Sequence, residues 1–157
     1  PQALLEPLLS AVGGVLPNLS LPSLDPLYGQ SIHESANGAW AFDLAWKPLA
    51  GFPATAGWIR AIHRAQAEVE DGLSIQRPVL VLHAEKSLRP TTWSDDILRA
   101  DVVLDVEDIA RLAPMLGPEV EVVAVSDGIH DLALAGEAAR ATAFGLVSEW
   151  LSHIRQN

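Results

Sequence analysis

Two apolar runs constrain this chain more than any other feature. Pro78-Val79-Leu80-Val81-Leu82-His83 and Val120-Glu121-Val122-Val123-Ala124-Val125 are short, rich in β-branched residues and bounded by polar or glycine-containing segments, which reads as strands. The first barely alternates, as in a strand covered on both faces by helices. Between them, Asp105 to Leu116 carries a helical stripe of Ile109, Ala110, Leu112, Ala113 and Leu116. Asp105 takes the N-cap position, Asp108 lies three residues on, and Gly117 follows the last turn. A second helix is expected over Glu137 to Ile154, with Ala139, Ala143, Leu146, Val147, Trp150, Leu151 and Ile154 on one face. Strand, helix, strand, helix predicts an α/β arrangement with parallel strands. Sheets usually have roughly four to six strands, so these two are expected to be the end of a larger sheet.

The chain before Arg77 has a different character. Leu4, Leu5, Leu8, Leu9, Val12, Val15 and Leu16 fall near helical spacing, and Gly13-Gly14 and Pro17 are expected to end that helix. Leu19 to Pro26 reads as extended loop. Tyr28 to Pro53 reads as irregular and aromatic, with Trp40, Phe42, Trp46 and Phe52. Thr55 to Glu70 predicts a helix with Trp58, Ile59, Ile62, Ala65 and Val69 as its apolar stripe, stopped at Asp71-Gly72. The organisation is therefore an apolar, Pro- and Trp-rich segment over 1–76 and an α/β portion over 77–157.

Composition removes several function classes. Twenty acidic against ten basic residues give a net charge of -10, which repels a phosphate backbone and argues against a nucleic-acid partner. The absence of cysteine excludes disulfides, a thiol nucleophile and cysteine-type zinc sites. The five histidines, His33, His63, His83, His130 and His153, show no zincin-type ligand spacing, so no metal is expected. No Rossmann or P-loop glycine pattern occurs, so no cofactor is expected. Every apolar run stops well short of the ~20 residues of a membrane span. The chain starts at Pro1, and Pro1 to Leu16 has no basic n-region. The expectation is a cytoplasmic protein and a piece of a longer chain.

The chemistry concentrates at the ends of the two strands. His130 lies just past the second strand, in Ser126-Asp127-Gly128-Ile129-His130-Asp131, where open α/β sheets place ligands and catalytic groups. A histidine there can take and return protons near neutral pH. A partner acid would come from the loop after the first strand, which offers Glu85, Asp95, Asp96, Asp101 and Asp105. Asp105 reads as a helix cap, and Asp95 and Asp96 as the opening of a short helical turn. Asp101 has no such local duty, and Val102-Val103-Leu104 after it is expected to pack and anchor it. No nucleophile is visible. Gly29-Gln30-Ser31-Ile32-His33 lacks the final glycine of a nucleophile elbow and follows a proline-rich loop, and Gly72-Leu73-Ser74 fails likewise.

These residues resemble the C-terminal half of an α/β-hydrolase of the serine aminopeptidase/monoacylglycerol lipase-like (lysophospholipase-like) group. The resemblance rests on Arg77-Pro78-Val79-Leu80-Val81-Leu82-His83-Ala84-Glu85, similar to its penultimate strand. It rests also on Asp101-Val102-Val103-Leu104-Asp105, similar to its acid-bearing segment, and on Gly128-Ile129-His130-Asp131, similar to its histidine loop. It implies that 1–76 is a cap or lid and that 77–157 is the C-terminal part of the hydrolase core. It implies an esterase-like serine hydrolase with His130 as base and Asp101 as acid, Asp96 being the runner-up. The family places its acid soon after the strand; here Ser87 stands there, and Leu88 to Ala100 reads as an insertion. The implied substrate is a small apolar ester or lipid-like molecule. The implied partner is the missing N-terminal half, which would hold the serine nucleophile and the oxyanion hole, so this fragment alone is expected to be inactive. The alternative is a non-catalytic relative, a binding module that holds an apolar ligand or partner.

Overall fold

The two apolar runs form parallel strands, β1 (Val79–Ala84) and β2 (Val120–Val125), paired from Val79 opposite Val120 to Ala84 opposite Val125. The computed structural model describes residues 12–21 and 26–155. Within them lie α1 (Leu27–Ile32), α2 (Ala56–Glu70), α3 (Val106–Leu112) and α4 (Glu137–Ile154), with 3-10 turns at Asp95–Arg99, Ala113–Leu116 and Leu132–Leu134. The chain is thus mixed helix and strand around a two-stranded parallel sheet, an arrangement compatible with the α/β class. Parallel neighbours need a long crossover, and the segment containing α3 supplies it.

Local chemistry accounts for most element ends. The Asp105 carboxylate accepts from the Glu107 amide at 3.0 Å and caps α3. Pro114, with no amide proton to give, falls where the α-helix tightens into its 3-10 continuation. Thr55 caps α2 by accepting from the Trp58 amide at 3.2 Å. Gly72 takes φ +94 after the last turn of α2, a conformation that favours glycine. α4 spans Glu137–Ile154 as expected and buries Ala139 and Ala143.

The core sits under the carboxyl ends of the strands. Ile32, Val125, Ile129, Ala135, Ala139 and Ala143 form it, with Tyr28, Phe42, Leu82, Leu132, Leu134 and Leu146 packed around it. Residues from both sides of position 76 therefore share one core. The Trp40 indole Nε1–H donates to the Leu134 carbonyl at 2.8 Å and ties the aromatic segment to the start of α4.

Several expectations change. The strands are not covered along their length: Val79 to Leu82 are half-buried, and burial deepens only at His83 and Ala84. An apolar run records what could be buried, not whether the covering surface is present. α1 is a helix where irregular chain was expected. At six residues it is too short to display a period, and its stability comes from packing, since Leu27, Gly29, Ser31 and Ile32 are all buried. Residues 12–15 are helical through Gly13 and Gly14 rather than ending before them, and the Leu16 amide donates to the Val12 carbonyl at 2.7 Å. The proposed helical positions Leu4 to Leu9 lie outside the described residues. On α2, Trp58 and Ala65 face solvent instead of core, as do Ala110 on α3 and Leu151 on α4.

Candidate functional site

Because β1 and β2 are parallel and in register, the loops leaving Ala84 and Val125 emerge at the same sheet edge. The loop after β1 returns to that edge. Asp101 pairs with Ser87 in a single parallel bridge, its amide donating to Lys86 O at 2.9 Å while the Leu88 amide donates to its carbonyl at 2.8 Å. The intervening segment is anchored by Ile97 and Ala100, 0% and 1% exposed, with α1 packed against the Asp95–Arg99 turn. Ser87 adds a clamp: its hydroxyl donates to the Leu104 carbonyl and accepts from the Val106 amide, each at 2.8 Å.

This frame fixes the Asp101 carboxylate. Oδ1 accepts from the Val103 and Leu104 amides at 2.7 and 2.8 Å. Oδ2 accepts from His130 Nδ1 at 3.0 Å. The residue is 2% exposed. The tripeptide Val102-Val103-Leu104 holds the acid with its main-chain amides, whereas Leu104 itself is exposed. Burial raises the Asp101 pKa, but the hydrogen bonds from His130, Leu104 and Val103 outweigh it, and the carboxyl lies below its ordinary value. The bond to Asp101 raises the His130 pKa against the opposing effect of partial burial.

The histidine loop turns at Asp127, which takes φ 55, and not at Gly128. Gly128 serves close approach: a Cβ there would stand 2.6 Å from Leu132 Cδ2, 2.9 Å from the Val125 carbonyl oxygen and 3.2 Å from Ala84 Cα. The loop can therefore lie directly on β1, which brings His130 within reach of Asp101.

His130 also lines a cavity of about 600 Å³ whose walls include Leu27, Leu49, Phe52, Val102 and Val103. Gly29 shapes one wall, since a Cβ at that position would meet the Leu49 carbonyl oxygen at 2.1 Å. With Nδ1 donating to Asp101, Nε2 is the ring nitrogen left to accept a proton. Among the described residues, no serine or threonine hydroxyl hydrogen-bonds His130. Ser31 is committed to the Tyr28 carbonyl at 2.7 Å.

Beside His130 is a cluster that the sequence reading missed. The Tyr28 hydroxyl donates to Asp131 Oδ2, and Lys47 Nζ donates to the Tyr28 oxygen at 2.9 Å and to Asp131 Oδ2 at 3.0 Å. The Tyr28 ring meets the His130 ring edge-on, with centroids 5.5 Å apart. Burial and the acceptor Asp131 hold the phenol well above its ordinary pKa. Burial raises the Asp131 pKa, but Tyr28 and Lys47 outweigh it and leave the carboxyl below its usual range. One sequence signal was available: Lys47 is the only Lys or Arg in the first 59 residues.

The other candidates stand apart. Asp96 is exposed on the Asp95–Arg99 turn, Asp105 caps α3, and Glu85 is exposed. His33 is buried between Ser35 and the Phe42 carbonyl, and His83 Nδ1 lies 2.7 Å from the Ala84 carbonyl. Among the described residues, no cluster of three or more His, Asp or Glu could hold a metal ion, and no helix is long and apolar enough to cross a membrane. No protein-family model matches the chain, and no curated protein or solved structure matches it either.

Proposed function

We propose that Asp101 and His130 are the acid and base of a serine hydrolase of the α/β-hydrolase type, related to the monoacylglycerol lipase-like group and acting on a carboxylic ester with an apolar acyl part. The observation that carries this is the His130 Nδ1 to Asp101 Oδ2 bond, made by a buried carboxylate whose second oxygen is held by two main-chain amides. The pair stands at the carboxyl edge of parallel strands, and His130 lines a cavity with apolar walls. A carboxylate so fixed selects the tautomer in which Nε2 is the base.

In this reading a serine hydroxyl from outside the described residues attacks the ester carbonyl. His130 Nε2 takes its proton, and Asp101 stabilises the imidazolium. The proton then passes to the leaving alcohol as the tetrahedral intermediate collapses to an acyl-serine. Water attacks the acyl-serine with Nε2 again as base, releasing the acid and restoring the serine. The expected carrier of the serine is a Gly-X-Ser-X-Gly turn upstream.

Hydrolysis of p-nitrophenyl butyrate by the full-length protein tests this. His130→Gln is expected to reduce turnover to background, and residues 1–157 alone are expected to be inactive. Undiminished turnover by His130→Gln sinks the proposed role of His130, and absence of ester turnover by the full-length protein sinks the proposal and leaves ligand holding by the cavity as the function.

A further inference from the structure

The cavity beside His130 has apolar walls, yet two cationic side chains line it as well, Lys47 and Arg89. That is a notable placement in a chain with only ten basic residues and a net charge of -10. The two cations are not equivalent. Lys47 is paired with Asp131 at 3.0 Å, so its charge is offset. Arg89 makes no ion pair among the described residues; its guanidinium has only a long donation, 3.4 Å, to the Leu104 carbonyl.

The position of Arg89 follows from the frame that holds the acid. The Leu88 amide donates to the Asp101 carbonyl, so Arg89 leaves the wall one residue beyond that bond. Its carbonyl partner, Leu104, also supplies an amide to the Asp101 carboxylate. Arg89 and His130 thus line one cavity, together with Val102 and Val103 of the segment that follows Asp101. A guanidinium with four of its five N–H groups uncommitted suits a carboxylate or phosphate, which it can meet with two parallel bonds.

We infer that this cavity takes an anionic amphiphile: an apolar acyl or alkyl chain against Leu27, Leu49 and Phe52, with a carboxylate or phosphate on Arg89. The inference rests on the hydrolytic reading for its identity as a substrate site, but not for binding itself. In hydrolytic terms the substrate is an ester that bears a negative group as well as an apolar chain.

Binding is tested without turnover. The protein is titrated by calorimetry with decanoate, decyl phosphate and the neutral analogue decanol. At least one anion is expected to bind about tenfold more tightly than decanol, the worth of one charge-assisted contact. Preference for decanoate or for decyl phosphate distinguishes a carboxylate from a phosphate group. Arg89→Gln is expected to remove the preference, and because Arg89 is exposed the variant is expected to keep the parent melting temperature. Equal affinity for anion and alcohol, no binding of any probe, or full preference in Arg89→Gln overturns the inference. A protein that prefers the anion but hydrolyses no ester upholds the inference and overturns the hydrolase reading alone.

Discussion

Replacing Asp101 by Asn separates the role of the acid in orienting His130 from its role in holding the chain. The carboxylate accepts three hydrogen bonds, from His130 Nδ1, the Val103 amide and the Leu104 amide. The Asn carbonyl can keep both amides, but its NH₂ then faces Nδ1. The imidazole must turn that nitrogen into an acceptor and move its proton to Nε2, the atom that the proposed hydrolysis uses as base. Stability should fall by about 1 kcal/mol, the worth of a modified hydrogen bond. If His130 is the base of a triad, as proposed, turnover should fall about ten-thousand-fold, or about 5.4 kcal/mol in the barrier, because that base is held in the wrong tautomer. Asp101→Ala is the control. It strands the half-buried amides of Val103 and Leu104, each worth about 1 kcal/mol, and removes the bond to His130, so it should lose about 2–4 kcal/mol of stability. The assays are ester hydrolysis by the full-length protein, urea unfolding, and NMR titration of the His130 ring. In Asp101→Asn the His130 titration should drop toward the ordinary histidine value. Retention of turnover within tenfold of the parent, or an unmoved His130 titration, refutes the reasoning.

Three further outcomes follow from the same geometry. The raised His130 pKa and lowered Asp101 pKa set opposite limits on stability. The histidine's contribution is full below about 6.5 and is lost as pH rises through its raised folded value; the aspartate's is full above about 3.8 and is lost as pH falls through its lowered folded value. Unfolding free energies of the parent minus those of His130→Gln should therefore be largest between about pH 4 and 6.5. A flat difference across pH 3 to 9 contradicts the ion pair. In the proposed hydrolytic reading, activity needs neutral Nε2, so its acidic limb should have a midpoint above the usual histidine value and should move to lower pH in Asp101→Asn, read from a pH series of kcat/KM. Gly128→Ala places a methyl against Leu132, the Val125 carbonyl and β1, costing about 1–3 kcal/mol. It should impair hydrolysis more than its stability loss explains, because it moves the His130 loop; unchanged melting temperature counts against the packing described. Ile97→Ala empties a 0% exposed position in the segment that returns Asp101 and should cost about 2–5 kcal/mol by urea unfolding.

Some of this was legible in the sequence because it rests on local chemistry. The strands at 79–84 and 120–125, the capped helix after Asp105 and the long C-terminal helix all follow from short-range pattern and capping. Asp101 and His130 could be named together because each follows a strand, and parallel strands deliver their following loops to one edge. What only the tertiary structure decided depends on separations the pattern does not encode. Tyr28, Lys47 and Asp131 meet across up to 103 positions, and nothing local to Tyr28 marks it as a neighbour of His130. Nothing local to Gly128 marks the close contact between loop and strand for which the fold uses it. Periodicity measures which residues a segment could bury. Whether a surface arrives to bury them, as at Ile97, or does not, as at Trp58, is set by the rest of the chain.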